Sequence, residues 1–212
     1  PENSTPTQMR VAIAKGMASV VATIEALPLR KRAGHPVALS AICFDGGWET
    51  ATVARAVKTI RSRAKLIMSK GFGWKVYKPY KAGGDQRDGV LGVGDHCHLS
   101  QSENGEFLAV HADYWREEAQ RSFLAPPLMP GSLSMWGTDR TEHYDFAAEV
   151  CAERLADKAV GANGTEMWAW NKCGENHWGD VLTGCYAVAS WYRYYDATAD
   201  VVGREMAAVN GA

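Results

Sequence analysis

"AICFDGGWET", residues 41–50, is the stretch on which the fold turns. Its first part completes "VALSAICF", residues 37–44, nearly continuous in apolar or small residues, as a strand buried on both faces must be. The run ends on one carboxylate, Asp45, and Gly46 and Gly47 follow at once. Burying a carboxylate is costly unless something pairs with it. Aspartate is a favoured cap, so Asp45 could hold the first turn of the next helix through the Gly-Gly turn. It could equally hold a cation at the carboxyl end of a parallel strand, where open α/β sheets place their sites. Hard cations such as Mg2+ take carboxylate oxygens and keep several waters, so a lone strand-end aspartate needs a partner from elsewhere.

Outward from this stretch, residues 8–27 repeat apolar positions at helical spacing and stop at Pro28. Residues 48–64 predict a helix starting just after Gly47, and residues 65–77 a second short strand with a glycine break. Helix, strand, helix and strand in that order point to α/β layering with parallel strands. Residues 82–94 predict a loop. Residues 96–101 and 106–112 flank Asn104-Gly105, a hairpin signal. A helix over 113–124 capped by Asp113, a short strand over 132–137 and a helix over 144–159 follow. Residues 163–177 predict a turn and hairpin, and the last, most apolar helix covers 178–195 with Asn176 as its N-cap. One domain over 1–196 and a loose C-terminal tail over 197–212 are expected.

The 212 residues are 46% hydrophobic and 22% charged, ordinary globular values. A net charge of −1 excludes a uniformly basic DNA-coating protein. No apolar run approaches a membrane span, and the polar N-terminal residues carry no secretory region. The five cysteines, Cys43, Cys97, Cys151, Cys173 and Cys185, include no CxxC pair, which argues against a disulfide framework or zinc knuckle and for reduced thiols in a cytoplasmic compartment. Phosphate-loop and dinucleotide glycine motifs are absent.

Net charge hides an asymmetry. Between Thr50 and Gly84 stand nine basic residues and no acidic one: Arg55, Lys58, Arg61, Arg63, Lys65, Lys70, Lys75, Lys78 and Lys81. Phe72, Trp74, Tyr77 and Tyr80 interleave with them, a composition suited to a phosphate backbone. The plainer reading is a solvated helix face paired with the acidic segment 139–157. Asp180 is the best partner for Asp45, since it lies in the first turn of the last helix on the face continued by Gly184 and Ala187, small residues that would let a helix approach a sheet. Acids also favour first turns through the helix dipole alone. A rival constellation, His96, His98, His111 and Asp113, has i, i+2 spacing on two hairpin strands and could hold zinc or iron. Cys173 and His177 have no orienting third group, and the eight tryptophans are expected as packing anchors.

In this order the chain resembles the nuclease domain of the large subunit of lambda-like phage terminases. The matching stretches are "AICFDGGWETATVARAV", "AKLIMSKGFG", "FLAVHADYWREEAQRSFL", "PGSLSMWG" and "GENHWGDVLTGCYAVA", spread over roughly residues 20 to 195. The resemblance implies an RNase H-like fold, a central mixed sheet flanked by helices, and an endonuclease that cuts concatemeric double-stranded DNA during genome packaging. It implies two Mg2+ or Mn2+ ions held by carboxylates, with Asp45 and Asp180 as metal ligands and Asp113 a further catalytic candidate. Lys70 would lie near the DNA path, with Arg55, Lys58, Arg61, Lys65 and Lys75 as further DNA contacts. Gly46 and Gly47 would clear room for ion and DNA, and Asn176 and His177 would support Asp180.

It further implies partners: an ATPase domain, a small subunit and a portal or procapsid, in the host cytoplasm and with no membrane. The family fold opens with three antiparallel strands, the first bearing another metal-binding acid. Only a helix precedes Asp45, so those strands and that acid are expected to be missing and metal binding to be weaker. No lysine follows Asp113 at the family's place, and Arg116 stands as its substitute. Two other readings remain: a catalytically inactive DNA-binding or packaging-interaction module, and a His-based metalloenzyme on His96, His98, His111 and Asp113.

Overall fold

The computed structural model of the chain describes residues 5–30, 34–79, 93–94, 96–127, 129, 131–135, 137–162 and 164–192. The expected tail over 197–212, most of the loop over 82–94, Tyr80, Lys81 and Trp136 lie outside these residues. The fold is mixed α/β, a mixed sheet flanked by helices. In chain order come α1 (Pro6–Ala26), β1 (Ala41–Asp45), α2 (Thr50–Thr59), β2 (Lys65–Phe72), β3 (Val93–Gly94), β4 (Cys97–Ser102) and β5 (Gly105–His111). Then follow α3 (Ala112–Leu124), a 3-10 turn (Arg140–His143), α4 (Tyr144–Val150), β6 (Glu153–Val160), β7 (Glu166–Lys172) and α5, described over 177–192. The first five strands form one sheet in the order β1-β2-β5-β4-β3, and β6 and β7 form a separate antiparallel ladder. The chain divides into two compact units, Pro1–Gly71 with Leu99–Ala109 and Phe72–His98 with Val110–Ala212.

In the first unit, α1 begins at a capping box in which the Thr5 side chain accepts from the Gln8 N–H and the Gln8 side chain accepts from the Thr5 N–H. It ends at Leu27, before Pro28. Val21 of α1 packs with Ile42 of β1 and Ala64, and Ile24, Leu39, Phe44, Ile60 and Leu66 surround them. The strands β1 and β2 are parallel, in register from Ala41 opposite Lys65 to Asp45 opposite Ser69. Parallel neighbours need a crossover, and α2 supplies it, burying Val53, Ala54 and Ala56. Glu25 ties α1 to the entry of β2, accepting from the Ser62 hydroxyl at 2.7 Å and the Arg63 N–H at 2.6 Å. These hydrogen bonds hold its carboxyl below the usual range.

In the second unit, α3 buries Trp115, Glu117, Ala119 and Ser122. Its cap is not Asp113, as the sequence predicts, but His111, whose Nδ1 accepts from the Tyr114 N–H at 3.1 Å. Asp113 is drawn elsewhere, to the Trp74 N–H at 2.6 Å. The predicted helix over 144–159 stops at Val150, and Glu153–Val160 is instead strand β6, paired in antiparallel register with β7. Helical propensity is a weak prior that tertiary pairing overrides, and the ladder places Leu155 opposite Trp170 and Lys158 opposite Trp168. Residues 132–135 form no strand ladder; the Leu133 N–H donates to the Ser122 carbonyl at 2.8 Å.

Helix α5 buries Thr183, Ala187, Val188, Ser190 and Trp191, and Cys97 donates to the Ala187 carbonyl at 3.5 Å. The close approach of this helix falls at Gly179, where a Cβ would lie 3.7 Å from the Glu149 carbonyl oxygen. At Gly184 there is open space instead. None of the five cysteines is joined in a disulfide. Among the described residues no helix is long and apolar enough to cross a membrane.

Candidate functional site

Asp45 is the last residue of β1 and exposed. Its Oδ1 accepts from the Gly47 N–H at 2.9 Å, and among the described residues its Oδ2 accepts nothing. Helix α2 starts at Thr50 with Glu49 at its N-cap and no side-chain cap. Asp45 therefore braces the Gly-Gly turn and leaves the helix uncapped. Gly46 is required by the space: a Cβ would lie 2.5 Å from Cγ of buried Met68. Its N–H donates to the Ser69 carbonyl at 2.7 Å, which fastens the turn to the end of β2.

The basic residues of the first unit divide into two sets. Lys58 donates to the Asn104 carbonyl at 3.2 Å, so it fastens the β4–β5 hairpin turn. Lys70 lies over the Phe107 ring at 5.2 Å, and Arg63 pairs with Glu25. Arg55, Arg61 and Lys65 are exposed. In the second unit Lys75 is exposed and lies over the Trp74 ring at 5.2 Å.

Asp113 and Asp180 both belong to the second unit, and Asp45 to the first. One guanidinium joins the former pair. Arg116 stands 3.6 Å from Asp113 Oδ1, 2.6 Å from Glu153 Oε2 and 3.1 Å from Asp180 Oδ1, with its guanidinium 5.3 Å from the centre of the Trp170 ring. Asp113 is buried and has both oxygens engaged, one by Arg116 and one by the Trp74 N–H. The Asp180 side chain is 56% exposed, and among the described residues no hydrogen bond engages its Oδ2. The first turn of α5 is held by Glu149, which accepts from the Trp178 N–H at 3.0 Å. Asn176 is buried, and its Oδ1 accepts from Lys172 at 2.7 Å. His177 turns to Glu175 at 2.5 Å and makes no hydrogen bond to Asp180. A small pocket open to solvent is lined by Arg116, Glu149, Glu153 and Asn176.

The histidine constellation does come together, as an aromatic cluster. His96 stacks on Tyr114 with centroids 3.7 Å apart, and His111 meets Tyr77 at 4.9 Å and Trp168 at 5.0 Å edge-on. The Tyr77 hydroxyl and His98 Nδ1 are 3.3 Å apart. With His111 Nδ1 spent on the helix cap and Asp113 on Arg116 and Trp74, these side chains do not converge on a point. Among the described residues no three His, Cys, Asp or Glu side chains form a group that could hold a metal ion.

Burial lowers the His111 pKa, partly offset by Asp113, and burial also lowers that of His98. A histidine kept neutral by the fold stabilises it fully above its unfolded pKa, about 6.5, and that contribution is lost as pH falls toward the lower folded value. The thermal midpoint is accordingly expected to drop between pH 7.5 and 5.5. His111→Asn keeps an oxygen to cap Tyr114 and should flatten that slope; an unchanged slope by circular dichroism would contradict the assignment.

No protein-family model, curated protein or solved structure matches this chain. Glu153, Glu117 and Lys158 escape a reading of the sequence because two of them lie on β6, which has the composition of a helix. Their one signal is the Gly161–Gly164 segment, which turns the chain between β6 and β7.

Proposed function

We propose that the chain is a metal-dependent DNA endonuclease domain of RNase H-like architecture, of the kind that trims concatemeric viral DNA during packaging. The observation that carries this reading is Asp45: an exposed carboxylate at the carboxyl end of a parallel strand pair, with one oxygen fixed by the Gly47 N–H and the other bonded to none of the described residues. Open α/β sheets concentrate their chemistry at such ends. The donor chemistry suits Mg2+ or Mn2+, since hard cations take carboxylate oxygens, and each unit carries an exposed aspartate, Asp45 in the first and Asp180 in the second. A divalent ion supplies a water of lowered pKa and neutralises charge on the phosphate.

The chain's own residues do the rest. Asp45 is held rigid by its turn, and Arg116 fixes one oxygen of Asp180 and leaves the other to coordinate. Asp113, with both oxygens engaged, is an anchor for Arg116 and for the backbone at Trp74. Arg55, Arg61, Lys65 and Lys70 neutralise phosphates along the first unit. An ATPase domain, a small subunit, a portal and the host cytoplasm belong to the same proposal and rest on the terminase resemblance.

Asp180→Asn is expected to lower Mn2+-dependent cleavage of a labelled linear duplex about 100-fold or more, with duplex binding in EDTA retained. Full cleavage by that variant would remove Asp180 from the site.

A second reading has its own observation. Arg116 already supplies a cation to Asp113, Glu153 and Asp180, which favours a module that grips DNA without cutting it. Salt-sensitive duplex binding with no cleavage in either Mg2+ or Mn2+ would establish that reading over the first.

A further inference from the structure

Of the seven described tryptophans, Trp115, Trp168 and Trp191 are buried and serve as packing anchors. Trp48 does not. It is 64% exposed, beside Asp45, and among the described residues no hydrogen bond or ring contact engages it. The residues on either side of it are fixed. Gly46 is bonded to Ser69 and tight against Met68, and Gly47 is bonded to Asp45. The Thr50 hydroxyl donates to the Gly46 carbonyl at 2.6 Å. Glu49 adopts a left-handed conformation, φ 47°, and its Oε2 accepts from the Thr52 hydroxyl at 2.8 Å and pairs with Arg10 of α1 at 3.4 Å. A non-glycine residue is costly there, and the neighbouring contacts hold it in place. The outcome is a braced loop that presents a large aromatic face to solvent.

We propose that Trp48 is a stacking contact for an unpaired nucleobase, next to the carboxylate at Asp45. The inference rests on the DNA reading above and adds what part of the DNA the site engages. The surroundings favour a nucleic acid over a protein partner. The helix that leaves this loop carries Arg55, and on the strand that returns Lys70 follows Ser69, the residue in register with Asp45, with no acid between Thr50 and Lys70. Cations for phosphates beside one aromatic face for a base are the two elements from which single-stranded sites are made. A paired base inside a duplex offers no free face, so the contact requires a frayed end, a mismatch or a strand opened at the cut.

The test is binding in EDTA, which separates it from cleavage. Labelled duplexes with a short unpaired stretch and fully paired duplexes of the same length are titrated with wild type, Trp48→Ala and Trp48→Phe by fluorescence anisotropy. Trp48→Ala is expected to weaken binding to the unpaired stretch about 5- to 150-fold and to leave the paired duplex within about two-fold, and Trp48→Phe should recover most of the loss. Unchanged affinity of Trp48→Ala for the unpaired stretch would overturn the inference, assign the side chain to a protein surface and leave the nuclease reading standing. Equal losses on both DNAs would overturn base stacking in favour of a backbone contact. Failure of the wild type to bind either DNA would overturn the inference and the DNA reading together.

Discussion

Glu117→Ala is expected to destabilise the second unit by about 3–5 kcal/mol, the cost of leaving buried partners of a charge uncompensated. Glu117 is 7% exposed, and three groups converge on its carboxylate. Its Oε2 accepts from Trp168 Nε1 at 2.7 Å and from Lys158 Nζ at 3.1 Å, while Oε1 pairs with Arg121. Burial pushes the Glu117 carboxyl up, but hydrogen bonds from Trp168 and Lys158 and the charges of Arg121 and Lys158 outweigh it and leave the group lowered. Removing the carboxylate leaves the indole N–H of Trp168 buried without an acceptor and costs Lys158 one of its two partners, the other being Glu166 at 3.4 Å. In a domain of this size the loss corresponds to a midpoint lower by roughly 10 °C or more. Glu117→Gln keeps an oxygen for Trp168 and should lose distinctly less. Equal losses in the two variants would show that the hydrogen bond from Trp168 contributes nothing.

Arg116→Met should rank next. Methionine keeps most of the aliphatic stem and removes the guanidinium that Asp113, Glu153 and Asp180 share and that lies over the Trp170 ring. Two of these carboxylates are largely shielded, their side chains 10% and 14% exposed, whereas Asp180 is open to water and its share is screened. The expected cost is about 3 kcal/mol, the low end for breaking a buried pair from one side. Arg116→Lys should recover the charge but not the three-way reach, because an ammonium is a point charge without the planar fork. The loss is read from chemical unfolding monitored by tryptophan fluorescence, and a midpoint within error of wild type for Arg116→Met would show that the hub carries no stability.

What could be read in advance, and what could not, follows from how local each signal is. The β1 strand, its glycine turn and the β4–β5 hairpin are written in runs of neighbouring residues, "AICFD" with two glycines and Asn104-Gly105, but β1 stands at the edge of the sheet with only Ile42 buried, not buried on both faces as its apolar run predicts. Parallel pairing of β1 with β2 follows because a helix-length segment separates two apolar runs. Asp113 misleads for the opposite reason. Local rules make it a cap, but the Trp74 N–H, distant in sequence, captures it and His111 caps in its place. The segment Glu153–Ala159 misleads likewise, since its residues favour a helix and only pairing with β7 makes it a strand. Once that strand is missed, Glu153 cannot be placed beside Arg116, and the centre of the second unit stays hidden. Lys58 shows what composition leaves out: beside the charge that suggests DNA, its ammonium donates to the Asn104 carbonyl of the β4–β5 turn.

Asp45 is the residue on which the proposed chemistry depends. Supercoiled plasmid incubated with Mn2+ should be nicked by the wild-type protein, and the nicking should vanish in EDTA and in Asp45→Ala while salt-sensitive DNA binding persists in that variant. Equal nicking by Asp45→Ala, or intact binding with no metal-dependent nicking by the wild type, would contradict the assignment of Asp45 as the carboxylate at the centre of the chemistry.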